Sequence, residues 1–584
     1  MKVLLLDPRD PLRGSYLAHR WDLIVDFGRS PLSTYEHWCR QAHCRVMSFF
    51  DLAEEIEDLY RIRELLRLGQ GILVDEWGID WWDLLSVEVQ SSLHELILVN
   101  RLSGELSSNC QLYASRSAPL ASGLAARIGT TLLVLNPELE AFHRVQHYYE
   151  AFSRLDFSKI AQVAEDKLDG RYRVRRRFSR RHRRSGPVVL LPSAYINVSR
   201  TALDYAASLP DRNFLMVFSR RNARPSSLPK HVELAPLAAY SGPADLLEIA
   251  SLTEGWRALQ RQLVASSEEF RIASKIAILN RIPELISWGL VMRDAWLRVF
   301  DSTQIVGCLS ADDSNPATNL PLLLAKHRGI PALACHHGAL NYQVALKSNH
   351  ADCYLVKSEM EEEYVRRVGG VQPETIVSAR PVRPTSAAAD FSRRDARWLV
   401  FFTEPYQNLS WRVDEIYAEL LPRLYSLAQQ CNLNLALKLH PFESARERKR
   451  TVPRHLGSRA RDVRIISGPL TPEFWCNTRF AVTAQSSVAL ECSALGIPVF
   501  LLAWLRDHYS GYVAQYARFG VGHVLHSPER LSEIPAMLKA YRPSPSTSAS
   551  WEEHAPGKFD RLLFGGRASA MAGHDRQPAE LLTS

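Results

Sequence analysis

The sequence is missing several features that would assign a class at once. No apolar run approaches the eighteen or so residues that a membrane-spanning helix needs. The amino terminus, MKVLLLDPRDP, meets an acid too soon for a signal peptide and reads as a buried strand running into a loop. The nine cysteines, at 39, 44, 110, 308, 335, 353, 431, 476 and 492, are scattered, odd in number and without a C-x-x-C pair. A disulfide framework is therefore excluded, and reduced, mostly buried thiols in a cytoplasmic protein are expected. No G-x-G-x-x-G follows a strand, and G-x-x-x-x-G-K-[ST], G-x-S-x-G and H-E-x-x-H are absent. That argues against a simple dehydrogenase, a P-loop NTPase, an α/β-hydrolase and a zincin. Internal repeats and heptad arrays are also lacking.

What is present is ordinary in bulk. The 584 residues suggest two to four domains, and 46% hydrophobic with 23% charged residues excludes collagen-like, coiled-coil and largely disordered chains. The formal charge is +8, from 71 Lys and Arg against 63 Asp and Glu. Arg171–Arg184 (RYRVRRRFSRRHRR) carries nine arginines and no acid, so the rest of the chain is close to neutral. A single basic insert is weak evidence for nucleic acid, which is not expected as a partner. The insert reads as a solvated loop or as a patch for anionic lipid. The cluster His37, Cys39, His43 and Cys44 lacks the second half of a zinc spacing and reads as a helix with incidental thiols.

Short runs rich in Val, Ile and Leu recur, each followed by a turn and a helix-length amphipathic stretch. They are Val3–Leu6, Leu23–Val25, Ile72–Val74, Thr131–Leu135, Val188–Leu191, Phe214–Phe218, Ile305–Leu309, Ala332–Cys335 and Tyr354–Val356, then Trp398–Phe402, Leu433–Leu439, Arg464–Ile466, Phe480–Thr483 and Val499–Leu502. Alternating strand and helix periods predict parallel sheets covered on both faces, with ligands at the carboxyl strand ends. One seam is the arginine-rich stretch; the other is Ser378–Arg394, rich in Pro, Ala and Ser. The expected units are an N-terminal α/β region at 1–185, a domain at 186–384, a domain at 395–565 and a disordered tail at 566–584.

The strand ends carry the chemistry. In NLALKLHPF, Lys438 and His440 are two residues apart and face the same way, and Pro441 terminates the strand. A cation and an imidazole emerging together suit a phosphate or diphosphate. Further on, FAVTAQSSVALECSALGIP ends a strand at Thr483 and starts a helix near Ser486 and Ser487. Helix starts hold phosphates well, although either serine could equally be a plain cap. Glu491, one turn later, could accept from ribose hydroxyls. Asp312 and Asp313, in GCLSADDSN, suit general-base work or an ordinary turn. In Cys335-His336-His337-Gly338, His337 could be a base or phosphate ligand, and Gly338 would admit close backbone approach. VDEWGIDWWD clusters acids with Trp81 and Trp82, as sugar sites often do, or as packing does.

The K-x-H-P strand end, the Ser-Ser helix start with its following Glu and the upstream H-H-G strand end together resemble the GT-B glycosyltransferase superfamily. Nearest in pattern are bacterial capsule and surface-polysaccharide transferases, sialyltransferase-like and Kdo-transferase-like. The CDP-glycerol glycerophosphotransferases share the same H-G, H-P and Ser-Ser pattern, and Ala351–Pro384 also resembles a stretch of the UDP-GlcNAc 2-epimerases. The resemblance covers about 300–530. It implies an α/β, GT-B-like fold with two facing Rossmann-like domains, here with an N-terminal α/β extension. It implies that Lys438, His440, Pro441, Ser486 and Ser487 meet the donor phosphate, with Gly338 close by and Glu491 near the ribose. It leaves the base open among Asp312, Asp313 and His337. The implied activity is metal-independent transfer of a sugar from a nucleotide-sugar donor, a co-substrate rather than a cofactor. The acceptor would be a surface polysaccharide or lipid-linked glycan. Polyol-phosphate transfer from a CDP donor and a non-catalytic assembly component are the alternatives. A cytoplasmic location follows, with Arg171–Arg184 docking on the anionic inner face of a membrane.

Overall fold

A computed structural model describes residues 1–136, 186–336, 350–378, 396–404, 412–505, 513–541 and 555–565, apart from 13, 87, 88, 108, 221–223, 226, 243, 244, 314, 442 and 485. Arg171–Arg184, the 379–394 seam, the 566–584 tail, His337 and Gly338 lie outside these residues.

Three sheets form. The first contains β1 (Lys2–Leu6), β2 (Leu23–Asp26), β3 (Arg45–Ser48), β4 (Gln111–Ala114) and β5 (Leu132–Val134), ordered β3-β2-β1-β4-β5. The second contains β6 (Val188–Ser193), β7 (Asn213–Phe218), β8 (Val232–Pro236), β9 (Ile305–Ser310), β10 (Ala332–Cys335), β11 (Cys353–Val356) and β12 (Ile376–Ser378), ordered β12-β11-β10-β9-β6-β7-β8. The third contains β13 (Trp398–Phe402), β14 (Asn434–Lys438), β15 (Arg464–Ile466), β16 (Thr478–Thr483), β17 (Val499–Leu502) and β18 (His523–Leu525), ordered β15-β14-β13-β16-β17-β18. Every pairing within these sheets is parallel. Strands such as β6 and β9 are buried along their whole length, as a sheet covered on both faces requires.

All three orders are Rossmann-like. In each, the first strand lies beside the fourth: β1 beside β4, β6 beside β9, β13 beside β16. Strand order reverses at that junction, leaving a crevice beyond the carboxyl ends. The fold is thus GT-B-like, two Rossmann-ordered units with an N-terminal α/β unit added, as the resemblance implied. The N-terminal unit is itself a full Rossmann-ordered sheet, which the sequence left undefined.

One apolar core runs through all three units, from Val3 to Val521. The N-terminal and middle units are fused by tryptophans. Trp82 stacks on Trp256 with centroids 5.7 Å apart, and a Cβ on Gly289 would stand only 2.3 Å from the Trp81 ring. Trp81 and Trp82 are completely enclosed, so the aromatic–acid segment is packing, not a sugar platform. Asp75 accepts from the Trp81 indole at 3.0 Å and pairs with buried Arg293 at 2.9 Å.

Two readings need correction. Ile72–Val74 is not a strand; it contributes an isolated bridge, Val74 to Asp80. Residues 555–565, expected within the last unit, return to the middle sheet, where Phe559 and Leu563 join its outer core and Arg212 meets Asp560 at 2.9 Å. The His37–Cys44 segment is helical as expected, with His37 and Cys39 in the helix Leu32–Ala42, which His43 closes in a left-handed conformation. Among the described residues, no group of three or more His, Cys, Asp or Glu is arranged to hold a metal ion. No helix among them is long and apolar enough to cross a membrane.

Candidate active site at the facing sheet edges

The middle and C-terminal sheets meet at their carboxyl edges. Arg200, in the helix Ile196–Ala207 that follows β6, pairs with Glu491, in the helix Val488–Ala494 that follows β16, at 2.7 Å. Arg518 and Glu363 make a second cross-contact at 2.5 Å. The fold thereby gathers the ends of β6, β11, β14 and β16 around one junction.

Lys438 is the most unusual group there. It ends β14 at 6% exposure, and its ammonium donates to the Leu439 carbonyl at 3.1 Å. Burial, reinforced by the charge of Arg200, presses it from 10.5 to about 8, against the pull of Glu443. A desolvated ammonium whose hydrogen-bond partner among the described residues is a carbonyl is a strong anion ligand in waiting.

The loop after Lys438 is anchored from below. Glu443 accepts the His440 backbone N–H at 3.1 Å, pairs with buried Arg448 at 2.9 Å and accepts from the Thr403 hydroxyl. Tyr417 backs Arg448, whose guanidinium sits 4.9 Å over the ring. His440 is half-buried and Pro441 is exposed, so the K-x-H-P turn projects from a rigid base.

At the β13/β16 crevice, Thr483 donates to Glu404 at 3.3 Å. Ser486 and Ser487 are half-buried. Ser487 sits at the helix start but makes no capping hydrogen bond, and Ser486 receives the Val488 N–H only at 3.5 Å. Neither serine is thus spent as an ordinary cap. The helix is only seven residues long, so their hydroxyls matter more than its dipole. Glu491 faces Arg200.

On the opposite edge, Asp312 and Asp313 are sealed at 1% and 0% exposure. The Asp313 carboxylate lies 3.6 Å from His336 Nδ1. The structure therefore brings Lys438, His440, Pro441, Ser486, Ser487 and Glu491 to one side of the junction and buries Asp312 and Asp313 beneath the other. His337, which follows His336, and Gly338 lie outside the described residues.

The sequence reading missed three groups. Arg200 follows a recognised strand whose end, Pro192-Ser193, carried no glycine signature. Lys357 directly follows β11, donating to the His336 carbonyl at 3.3 Å and pairing with Glu361 at 3.2 Å. Glu404 lies two residues past β13, the first strand of its sheet in chain order, a position where Rossmann units commonly meet ligands.

Searches against known protein families and curated proteins found no match. Among solved structures, a UDP-GlcNAc 2-epimerase from Methanocaldococcus jannaschii is similar over 65% of this chain and 99% of its own, with 12% identity and a TM-score of 0.41. The S. aureus MnaA–UDP structure is similar over 68% of this chain and 100% of its own, with 11% identity and a TM-score of 0.41. A variant of the wall teichoic acid polymerase TagF is similar over 70% of this chain and 99% of its own, with 12% identity and a TM-score of 0.40. Likeness at this level assigns no activity. The geometry of the chain itself establishes a GT-B-like pair of Rossmann-ordered units with facing carboxyl edges.

Proposed function

We propose that this chain is a glycosyltransferase that moves a sugar from a nucleotide-activated donor to a surface polysaccharide or lipid-linked glycan. The observation that carries the reading is Lys438, an ammonium enclosed at a carboxyl strand end, donating among the described residues to a carbonyl oxygen and pressed down to about 8. Such a group gains most from an anion, and a nucleotide donor brings a phosphate that gains charge as the bond to the sugar breaks.

In this reading Lys438 and His440 hold the leaving phosphate, Pro441 fixes the turn, and the Ser486 and Ser487 hydroxyls donate to its oxygens. Glu491 accepts from the ribose, and Gly338 lets backbone approach the donor. The acceptor hydroxyl attacks the anomeric carbon, the bond to the phosphate oxygen breaks, and a base takes the hydroxyl proton. A base must reach that proton directly or through one water. The enclosure of Asp312 and Asp313 favours His337 for this step, with Asp313 acting on His336 beside it. The arginine run Arg171–Arg184 would bring the chain to anionic lipid carrying the acceptor.

The test is calorimetry with CMP, CDP, UDP and GDP on wild type and His440→Ala. Binding of one nucleotide, weakened at least tenfold in the variant, is expected. Absence of binding to all four would remove the reading.

A further inference from the structure

Arg200 and Glu491 form a pair that has not fully settled. Their side chains are 30% and 22% exposed, so either can exchange its partner for a solute. Among the described residues the Arg200 Nε is nevertheless buried without a hydrogen-bond partner, so one donor of the guanidinium is unspent. Two further cations stand in the same field. The charge of Arg200 bears on Lys438, and the charge of Glu491 bears on Lys357. Lys357 has its own carboxylate in Glu361, whereas Lys438 has a carbonyl. At the junction between the sheets, Glu491 is thus set directly against a cation of the opposite unit, as Glu363 is against Arg518, but at Glu491 a second, poorly compensated cation, Lys438, stands close behind.

An arginine fork matches two oxygens of a phosphate, and a diphosphate brings more charge than one carboxylate. Resting on the reading above, we propose that Arg200 is a diphosphate ligand supplied from the opposite sheet, held by Glu491 until the diphosphate of a nucleotide donor displaces that carboxylate. Glu491 occupies the anion's place in the unliganded protein. Displacement frees it to turn toward the ribose and draws Arg200 onto the same group as Lys438. The two sheets then share one ligand.

A simple tie between the sheets would look the same in the unliganded protein but responds differently to mutation. Breaking a tie from either end has one consequence. Removing a ligand and removing its competitor have opposite consequences. The experiment is calorimetry with inorganic pyrophosphate on the full chain, using wild type, Arg200→Ala, Glu491→Gln and the double variant. The expected result is at least a tenfold loss for Arg200→Ala, since hydrogen bonds to charged groups contribute on that scale. Glu491→Gln should bind several-fold more tightly than wild type. The double variant should match Arg200→Ala. Any loss of folding from the broken pair is common to both single variants, so it cannot produce opposite signs. Equal affinities, or shifts in the same direction, overturn the proposal while pyrophosphate and nucleotide binding by wild type leave the transferase reading standing. If wild type binds neither pyrophosphate nor any nucleotide, both fall.

Discussion

At the β1/β4 crevice, Arg116 clasps Asp10 through two bonds of 2.5 Å, Asp7 pairs with Arg9 at 2.6 Å, and the Asp7 N–H reaches the Ser115 hydroxyl at 2.9 Å. The space beyond is filled by Arg412 of the C-terminal unit. Its guanidinium pairs with Asp26 and donates to the Pro8 carbonyl at 2.6 Å, and its N–H reaches Arg29 O at 2.9 Å. Ser30 and Ser33 add hydrogen bonds to Glu415 and Glu419. A Cβ on Gly28 would stand 2.9 Å from the Arg412 guanidinium, which packs closely against this glycine. The facing edges of the other two sheets share this topology, but their cations are unevenly matched, with Lys438 against a carbonyl. Strand order therefore provides a crevice three times, and charge matching decides its use. Where cations meet carboxylates, as Arg9, Arg116 and Arg412 do, the edge is a docking surface. Where one does not, it can take an anion.

The comparison breaks most readily at Arg412. Arg412→Ala leaves Asp26, fully enclosed, without its cation, and about 3–5 kcal/mol of stability should be lost. Nucleotide affinity of the folded fraction should be unchanged. Urea unfolding measures the first, and a loss under about 1 kcal/mol would mean that the edge is not held by this pair. Lys438→Met should behave in the opposite way. Removing a desolvated charge leaves stability equal or higher, while nucleotide affinity drops tenfold or more. A variant that is destabilised yet binds normally would place Lys438 with the structural pairs.

The pH dependence sharpens the contrast. Lys438 titrates near 8 in the folded chain and near 10.5 when unfolded, so the unfolded chain binds the extra proton between those values. Stability of the unliganded protein should rise with pH across that window, and anion affinity should fall as pH passes about 8. Unfolding and calorimetric series in wild type and Lys438→Met separate this contribution from others. The smallest effect belongs to Glu415, raised from 4.5 to about 7 by burial and by its acidic neighbours Asp26 and Asp414. Its folded form binds the extra proton, so its contribution is present below 4.5 and is lost as pH rises through about 7. Glu415→Gln should flatten that part of the stability profile, and an unaltered slope would contradict the assignment.

Much of the fold was legible because strands buried on both faces are apolar without interruption, as in Trp398–Phe402 and Val499–Leu502. Five strands escaped notice: β3, β4, β8, β12 and β18. They are short or carry polar residues, as in QLYA and VELAP, and are recognisable only by their partners. At the site, Lys438 and His440 stood out because strand alternation places them together. Arg200 did not, because its significance lies in Glu491, a residue 291 positions away. The pairing of Asp313 with His336 was likewise invisible, since adjacent carboxylates look alike in a turn and in a sealed core.

The most direct measurement is the structure of the protein with the nucleotide that binds it. The account predicts phosphate oxygens within about 2.7–3.2 Å of Lys438 Nζ, between the edges of the β9–β6 and β13–β16 sheets. A nucleotide seated at the β1/β4 edge, or with its phosphates turned away from Lys438, would contradict it.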